Sequence, residues 1–258
     1  RSGATSRHCS GNWVSAAIIA VMQLQKIAHI RQNFPDRALP DVAAAVRAQM
    51  EAADWALAVK PGSRIAVGVG SRGITNIDVI AKAVVDFWKS RDVNPFLIPV
   101  MGSHGAASGP GQAEVIAHYK ITEQTMGCPV VSNLKVTPIG TTPDGIEVVM
   151  AADALEADGV MLISRVKWHT DFEGKLESGI HKMMAIGLGK WAGAKHYHTF
   201  ALRLGLEKVI RTVGEVILAT GKMLGGLAIL EDAHHNTGEV HALGAEGIQM
   251  GTRMVSAA

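Results

Sequence analysis

The sequence predicts an α/β fold: a mostly parallel sheet flanked by helices, Rossmann-like and doubly wound. Three observations predict it. β-branched apolar runs such as RIAVGVG, PFLIPVM and GVMLISRV alternate with segments of helical periodicity, which is the order that covers a parallel sheet on both faces. Several of these runs lead into polar loops flanked by glycine. Apolar residues make up 48% and charged residues 19% of 258 residues, enough for one large α/β domain or two small ones and unlike a disordered chain.

In chain order, DVAAAVRAQMEAA is alanine-rich with helical periodicity, and Asp41 stands where an N-cap belongs. Lys60-Pro61-Gly62 breaks the chain before the strand RIAVGVG, and ITNIDVIAKAVVDFWKS resumes a helix with Thr75 or Asn76 as its cap. PFLIPVMGSHG repeats strand and loop, and GPGQAEVIAHYKI starts the next helix. PVVSNL and IEVVMA read as strands around the turn Thr142-Pro143-Asp144-Gly145, followed by the buried strand GVMLISRV. FALRLGLEKVIRTVGEVILATGKM is strongly helical, LGGLAILED is a further strand, and the segment from HHNTGEVHALG onward trails off without a closing element.

Composition excludes several function classes. A net charge of +2, with no arginine-rich or aromatic-interleaved basic stripe, argues against nucleic acid as a partner. Cys9 and Cys128 lie far apart without CxxC spacing, so neither a disulfide framework nor a thiolate zinc site is expected, and a reducing cytoplasm fits best. Trp13 to Met22 is apolar after Arg1 and Arg7 in the manner of a weak signal sequence, but ten residues are too few to span a bilayer. Residues 1–22 are therefore expected to form an N-terminal extension, with no role for a membrane.

Ligands of open α/β sheets gather beyond the carboxyl ends of the strands. Three such ends carry polar loops: Ser71-Arg72-Gly73, Ser103-His104-Gly105, and Lys167 to Asp171. The GxGxxG match at Gly68 to Gly73 has the strand-to-helix context of a dinucleotide loop but lacks the acidic residue that the second strand should supply. Arg72 and nearby backbone N–H groups suit a carboxylate or phosphate. His104 and His169, from separate strand ends, suit proton transfer near neutrality, and inverting a stereocentre wants one such group on each side. His196 and His198 share a face only in an extended segment; HEXXH is absent, so any metal must draw most of its coordination from something other than side chains. Asp171, Glu173 and Glu177 read as helix caps or partners of Lys167 or Lys175, with catalytic carboxylates as the alternative. Lys182 precedes the apolar run MMAIGLG, where desolvation would make its amine more nucleophilic.

VGVGSRGITNI, PVMGSHGAASGPGQ and, above all, SRVKWHTDFEGKLESGIHKMMAIGLGKWAGAKHYH resemble the lactate racemases and their homologues that use a nickel-pincer nucleotide, from about Gln25 onward. The resemblance implies a cofactor in which a pyridinium mononucleotide (thioamide/thiocarboxylate) holds nickel in a plane through one carbon and two sulfurs, with one histidine as the remaining ligand. It implies His104 and His169 as the acid/base pair, Lys182 as the lysine linked to the cofactor, and His198, sixteen residues on, as the metal ligand. It likewise implies Arg72 as a substrate contact and Ser71 and Gly73 near the nucleotide phosphate.

Two departures qualify the match. The glycine-glycine-x-lysine run of the racemases has its counterpart here displaced by about three residues, with Lys190 and Lys195 as fallbacks for the linkage. Residues 23–258 would form the cofactor-binding domain, and the family's C-terminal domain is not expected in this chain. The implied activity is racemisation or epimerisation of a small 2-hydroxy acid, with cofactor-building proteins as partners and a homo-oligomer left open. A noncatalytic or truncated metal- or nucleotide-binding homologue and an NAD-dependent dehydrogenase are the rivals.

Overall fold

The computed structural model describes residues 29–70, 73–169, 174 and 176–248. Residues 1–22, with Cys9 and the apolar stretch Trp13 to Met22, lie outside the described residues, as do Ser71, Arg72, Asp171, Glu173 and Lys175. All regular elements fall in one unit, Pro35–Ala258.

Helix α1 (Val42–Glu51) begins where Asp41 accepts the Ala44 amide at 2.9 Å, the cap that the sequence predicts. A short α2 (Asp54–Leu57) leads to β1 (Arg64–Val69), then α3 (Ile77–Ser90), β2 (Asn94–Pro99), α4 (Gly109–His118) and α5 (Glu123–Met126). Asn76 does precede α3, but in a left-handed conformation and with no side-chain cap bond. Strands β3 (Val136–Thr141) and β4 (Glu147–Ala151) form a separate antiparallel pair. After α6 (Ala152–Glu156) and β5 (Gly159–Arg165) come α7 (Gly179–Lys182), a π-helical turn (Met183–Leu188), α8 (Lys190–Leu204), α9 (Leu206–Ala219), β6 (Met223–Glu231) and β7 (Thr237–Gly244).

The main sheet has the order β2-β1-β5-β6-β7, with every pair parallel except β6 and β7. Strand side chains alternate between two cores. Ile65, Val67, Leu97, Met161, Ile163, Leu227 and Ile229 face one core with α1 and α3. Ala66, Phe96, Ile98, Val160, Leu162 and Ala228 face the other, with α7 and α9. The predicted α/β architecture with helices on both faces is therefore observed.

Three expectations need correction. PVVSNL makes only an isolated bridge, Val130 to Leu97, because Ser132 and Asn133 turn to Gly109 O (2.7 Å) and Asp153 (2.5 Å) instead of extending a ladder; the strand lies further on, at β3. The C-terminal segment does close the sheet, as β7, after Asp232 collects the amides of His234 and Asn236 at 2.9 and 2.8 Å and reverses the chain. The long helical stretch is two helices divided at Gly205.

Candidate functional site

Because β2, β1 and β5 are parallel neighbours with β1 in the middle, the chain leaves all three at one edge of the sheet. Beyond β1, the Gly73 amide donates to Tyr119 Oη at 3.3 Å and its carbonyl accepts from Arg165 at 3.3 Å. Arg165 ends β5 and pairs with Glu231, at the end of β6, at 2.6 Å. Glu231 also accepts the Thr75 amide at 3.3 Å. One mostly buried ion pair thus ties the ends of β1, β5 and β6.

The loop after β2 carries His104, half-buried. Gln112, from the first turns of α4, is fully buried; its amide NH2 donates to Gly102 O at 3.0 Å and His104 O at 3.3 Å. Its Oε1 is buried without a partner. Flipping the amide would set oxygen against two carbonyls, so the orphaned acceptor, at a typical cost of ~1–3 kcal/mol, accompanies the two donated bonds.

The loop after β5 carries His169, half-buried, behind an exposed Trp168. Glu177, only 2% exposed, accepts the amides of His169 at 2.8 Å and Gly174 at 3.1 Å. Ser178 Oγ accepts the Lys167 amide at 2.8 Å and donates to the Lys167 carbonyl. The chain past β5 has left the ladder, and these two side chains supply the partners its backbone needs.

The π-helical turn and α8 pack onto the ends of β1 and β2. A Cβ on Gly187 would come within 2.9 Å of Val100 O, one on Gly102 within 3.2 Å of Ile186, and one on Gly70 within 3.0 Å of Met183. At Gly187, which meets backbone, only glycine allows so close an approach, whereas at Gly70 and Gly102 a neighbouring side chain would have to give way. Lys182, half-buried, immediately precedes this turn. Lys190 begins α8 fully buried, with its amine on Pro99 O at 2.7 Å; burial pulls its pKa down to about 8, opposed by the charge of Asp153. Lys195 is exposed. Of the three lysines considered for a covalent link, Lys190 is therefore committed to a carbonyl inside the fold.

His198 lies exposed on α8 with Nδ1 donating to Ala194 O at 2.6 Å, which in a neutral ring leaves the lone pair on Nε2. That is the tautomer of a ligating imidazole whose other nitrogen is fixed by a carbonyl. Ala194 in turn borders Gly102, which places the turn beneath His198 beside the His104 loop. His196, on the same helix, stacks edge-on with Phe200 at 5.0 Å, so the two histidines diverge as helical spacing requires. Among the described residues no group of three or more His, Cys, Asp or Glu could hold a metal ion. A group that brings most of its own donors and needs one amine and one imidazole fits this donor set. His181, beside Lys182, is buried against Gly214, with Nε2 3.2 Å from Arg211 O, and burial lowers its pKa.

The sequence alone marks Gln112 with no role and offers Glu177 as a cap or lysine partner or, alternatively, a catalytic carboxylate. The available signal was weak: each is a lone long polar residue among small or apolar neighbours, in GPGQAEVI and KLESGI.

No protein-family model matches this sequence, and no curated protein sequence matches it. Among the described residues no helix is long and apolar enough to cross a membrane. Among solved structures, the fold is similar to that of the lactate racemase apoprotein from Thermoanaerobacterium thermosaccharolyticum, with a TM-score of 0.58 at 16% identity. The match covers 87% of this chain and 59% of that one. The fold is thus remotely lactate racemase-like, and the chain spans less than two thirds of that neighbour.

Proposed function

We propose that this chain binds a nickel-pincer nucleotide and inverts the stereocentre of a small 2-hydroxy acid, as a racemase or epimerase. The observation that carries the proposal is convergence at one sheet edge. The His104 and His169 loops leave the strands on either side of β1, and the segment bearing Lys182 and His198 packs on the same strand ends. The likeness in fold to lactate racemase apoprotein supports it.

Lys182 would carry the covalent link and His198 Nε2 would ligate nickel, while Ser71 and Gly73 would face the nucleotide phosphate and Arg72 the substrate carboxylate. When bound, the nucleotide supplies a carbon that accepts the substrate's α-hydride and returns it. The chain's own part is acid–base chemistry. His104, acting as a base, would take the hydroxyl proton as the α-carbon is oxidised, which would leave a planar 2-keto acid. His169, on the other side and protonated at the outset, would give its proton to the carbonyl oxygen when the opposite face of the keto acid is reduced. A cytoplasmic setting, where cofactor-building enzymes can load the protein, belongs to the same reading.

Protein produced with those enzymes is expected to racemise a chirally pure 2-hydroxy acid, such as lactate or malate, only when nickel is supplied. Mass spectrometry of the same sample should find an adduct on Lys182. Active protein with an unmodified Lys182 would overturn the linkage, and adduct-bearing protein that racemises none of the acids would make the chain a noncatalytic binder.

A further inference from the structure

We infer that Gln112 and Glu177 are a matched pair of positioning residues, one for each histidine loop. The inference deepens the proposed function, and the roles of His104 and His169 rest on it. Gln112 turns both N–H donors onto the carbonyls that bracket the His104 loop, Gly102 and His104 itself, while its own oxygen stays buried and unpartnered. Glu177 turns both carboxylate oxygens onto amides, those of His169 and Gly174.

The polarity is complementary: a donor-only contact to one loop, an acceptor-only contact to the other. Each anchor reaches the histidine's own peptide group, so the ring's origin is set by a side chain with almost no exposure to water. Water cannot readily replace either anchor, and both loops lie beyond the ends of their strands. For proton transfer to and from one substrate oxygen by two opposed histidines, an ångström of misplacement matters more than substrate affinity does.

The test uses Gln112→Glu and Glu177→Gln, which keep side-chain size and invert or halve the hydrogen-bonding polarity. Ile217→Val, in the core on the α9 side of the sheet, serves as a control for general destabilisation. In the unloaded chain, amide exchange of Ala107 and Ser108 is expected to rise about tenfold or more in Gln112→Glu only. Exchange of His169 or Gly174 should do so in Glu177→Gln only. In loaded protein, kcat is expected to fall about tenfold or more with KM within about twofold, and the pH-rate limb of the affected histidine should move. Exchange unchanged in both loops, exchange changes that the control reproduces, or altered exchange with an unaltered kcat and pH profile would each overturn the inference. If the loaded wild-type chain racemises nothing, the functional reading fails separately, and the exchange measurements still decide whether the anchors hold the loops.

Discussion

Lys190 holds an ammonium group in a fully buried site with a single carbonyl, Pro99 O, as its hydrogen-bond partner among the bonds described. Its pKa is lowered from 10.5 to about 8, so between those values the unfolded chain binds a proton that the folded chain does not. Stability therefore rises with pH across that window, and below about pH 8 the folded state bears the full cost of the buried charge, ~3 kcal/mol at ~1.4 kcal/mol per unit. Urea unfolding of the wild type and of Lys190→Met should differ in slope between pH 8 and 10.5, with the variant losing that rise; parallel pH profiles would rule the account out. The sequence identifies a desolvated lysine beside MMAIGLG but attaches the property to Lys182. Both lysines flank the same apolar run, and only the packing of α8 against β2 decides which amine is enclosed. Glu177 carries the same lesson, since its bonds to the amides of His169 and Gly174 are ones that no side-chain pattern advertises.

The helical stretch from Phe200 to Met223 has unbroken apolar periodicity, yet Gly205 divides it with φ +82 and ψ 143, a conformation that side chains other than hydrogen rarely adopt. A Cβ there would meet nothing within 4 Å, so Gly205→Ala tests backbone strain alone. The expected loss is ~1–3 kcal/mol in chemical denaturation, with helix content retained. A loss below about 0.3 kcal/mol would mean that α8 and α9 can rejoin as one helix. Periodicity could not reveal the break because a glycine within a helix and a glycine between helices leave the same spacing. β7 was hidden for a related reason: GEVHALG alternates only weakly, and what makes it a strand is the open edge of β6 beside it.

At the scale of the molecule, a single sheet separates two cores that share strands but few side-chain neighbours. Ile80, in α3, and Ile217, in α9, are fully buried on opposite faces. Ile80→Val and Ile217→Val should each cost ~0.5–1.5 kcal/mol, and the double variant should equal their sum within ~0.5 kcal/mol. A larger discrepancy in unfolding free energy would show that strain passes through the sheet.

The sequence by itself determined the fold class, most strand and helix positions, and the loops that carry His104 and His169, because alternation, capping and chain breaks act between near neighbours. Tertiary structure alone decided the neighbours of β1, the enclosure of Lys190, the division at Gly205 in its packed setting, and the anchoring of the histidine loops by Gln112 and Glu177. Those outcomes depend on contacts through space, as between Arg165 and Glu231, whose separation along the chain leaves no periodic trace.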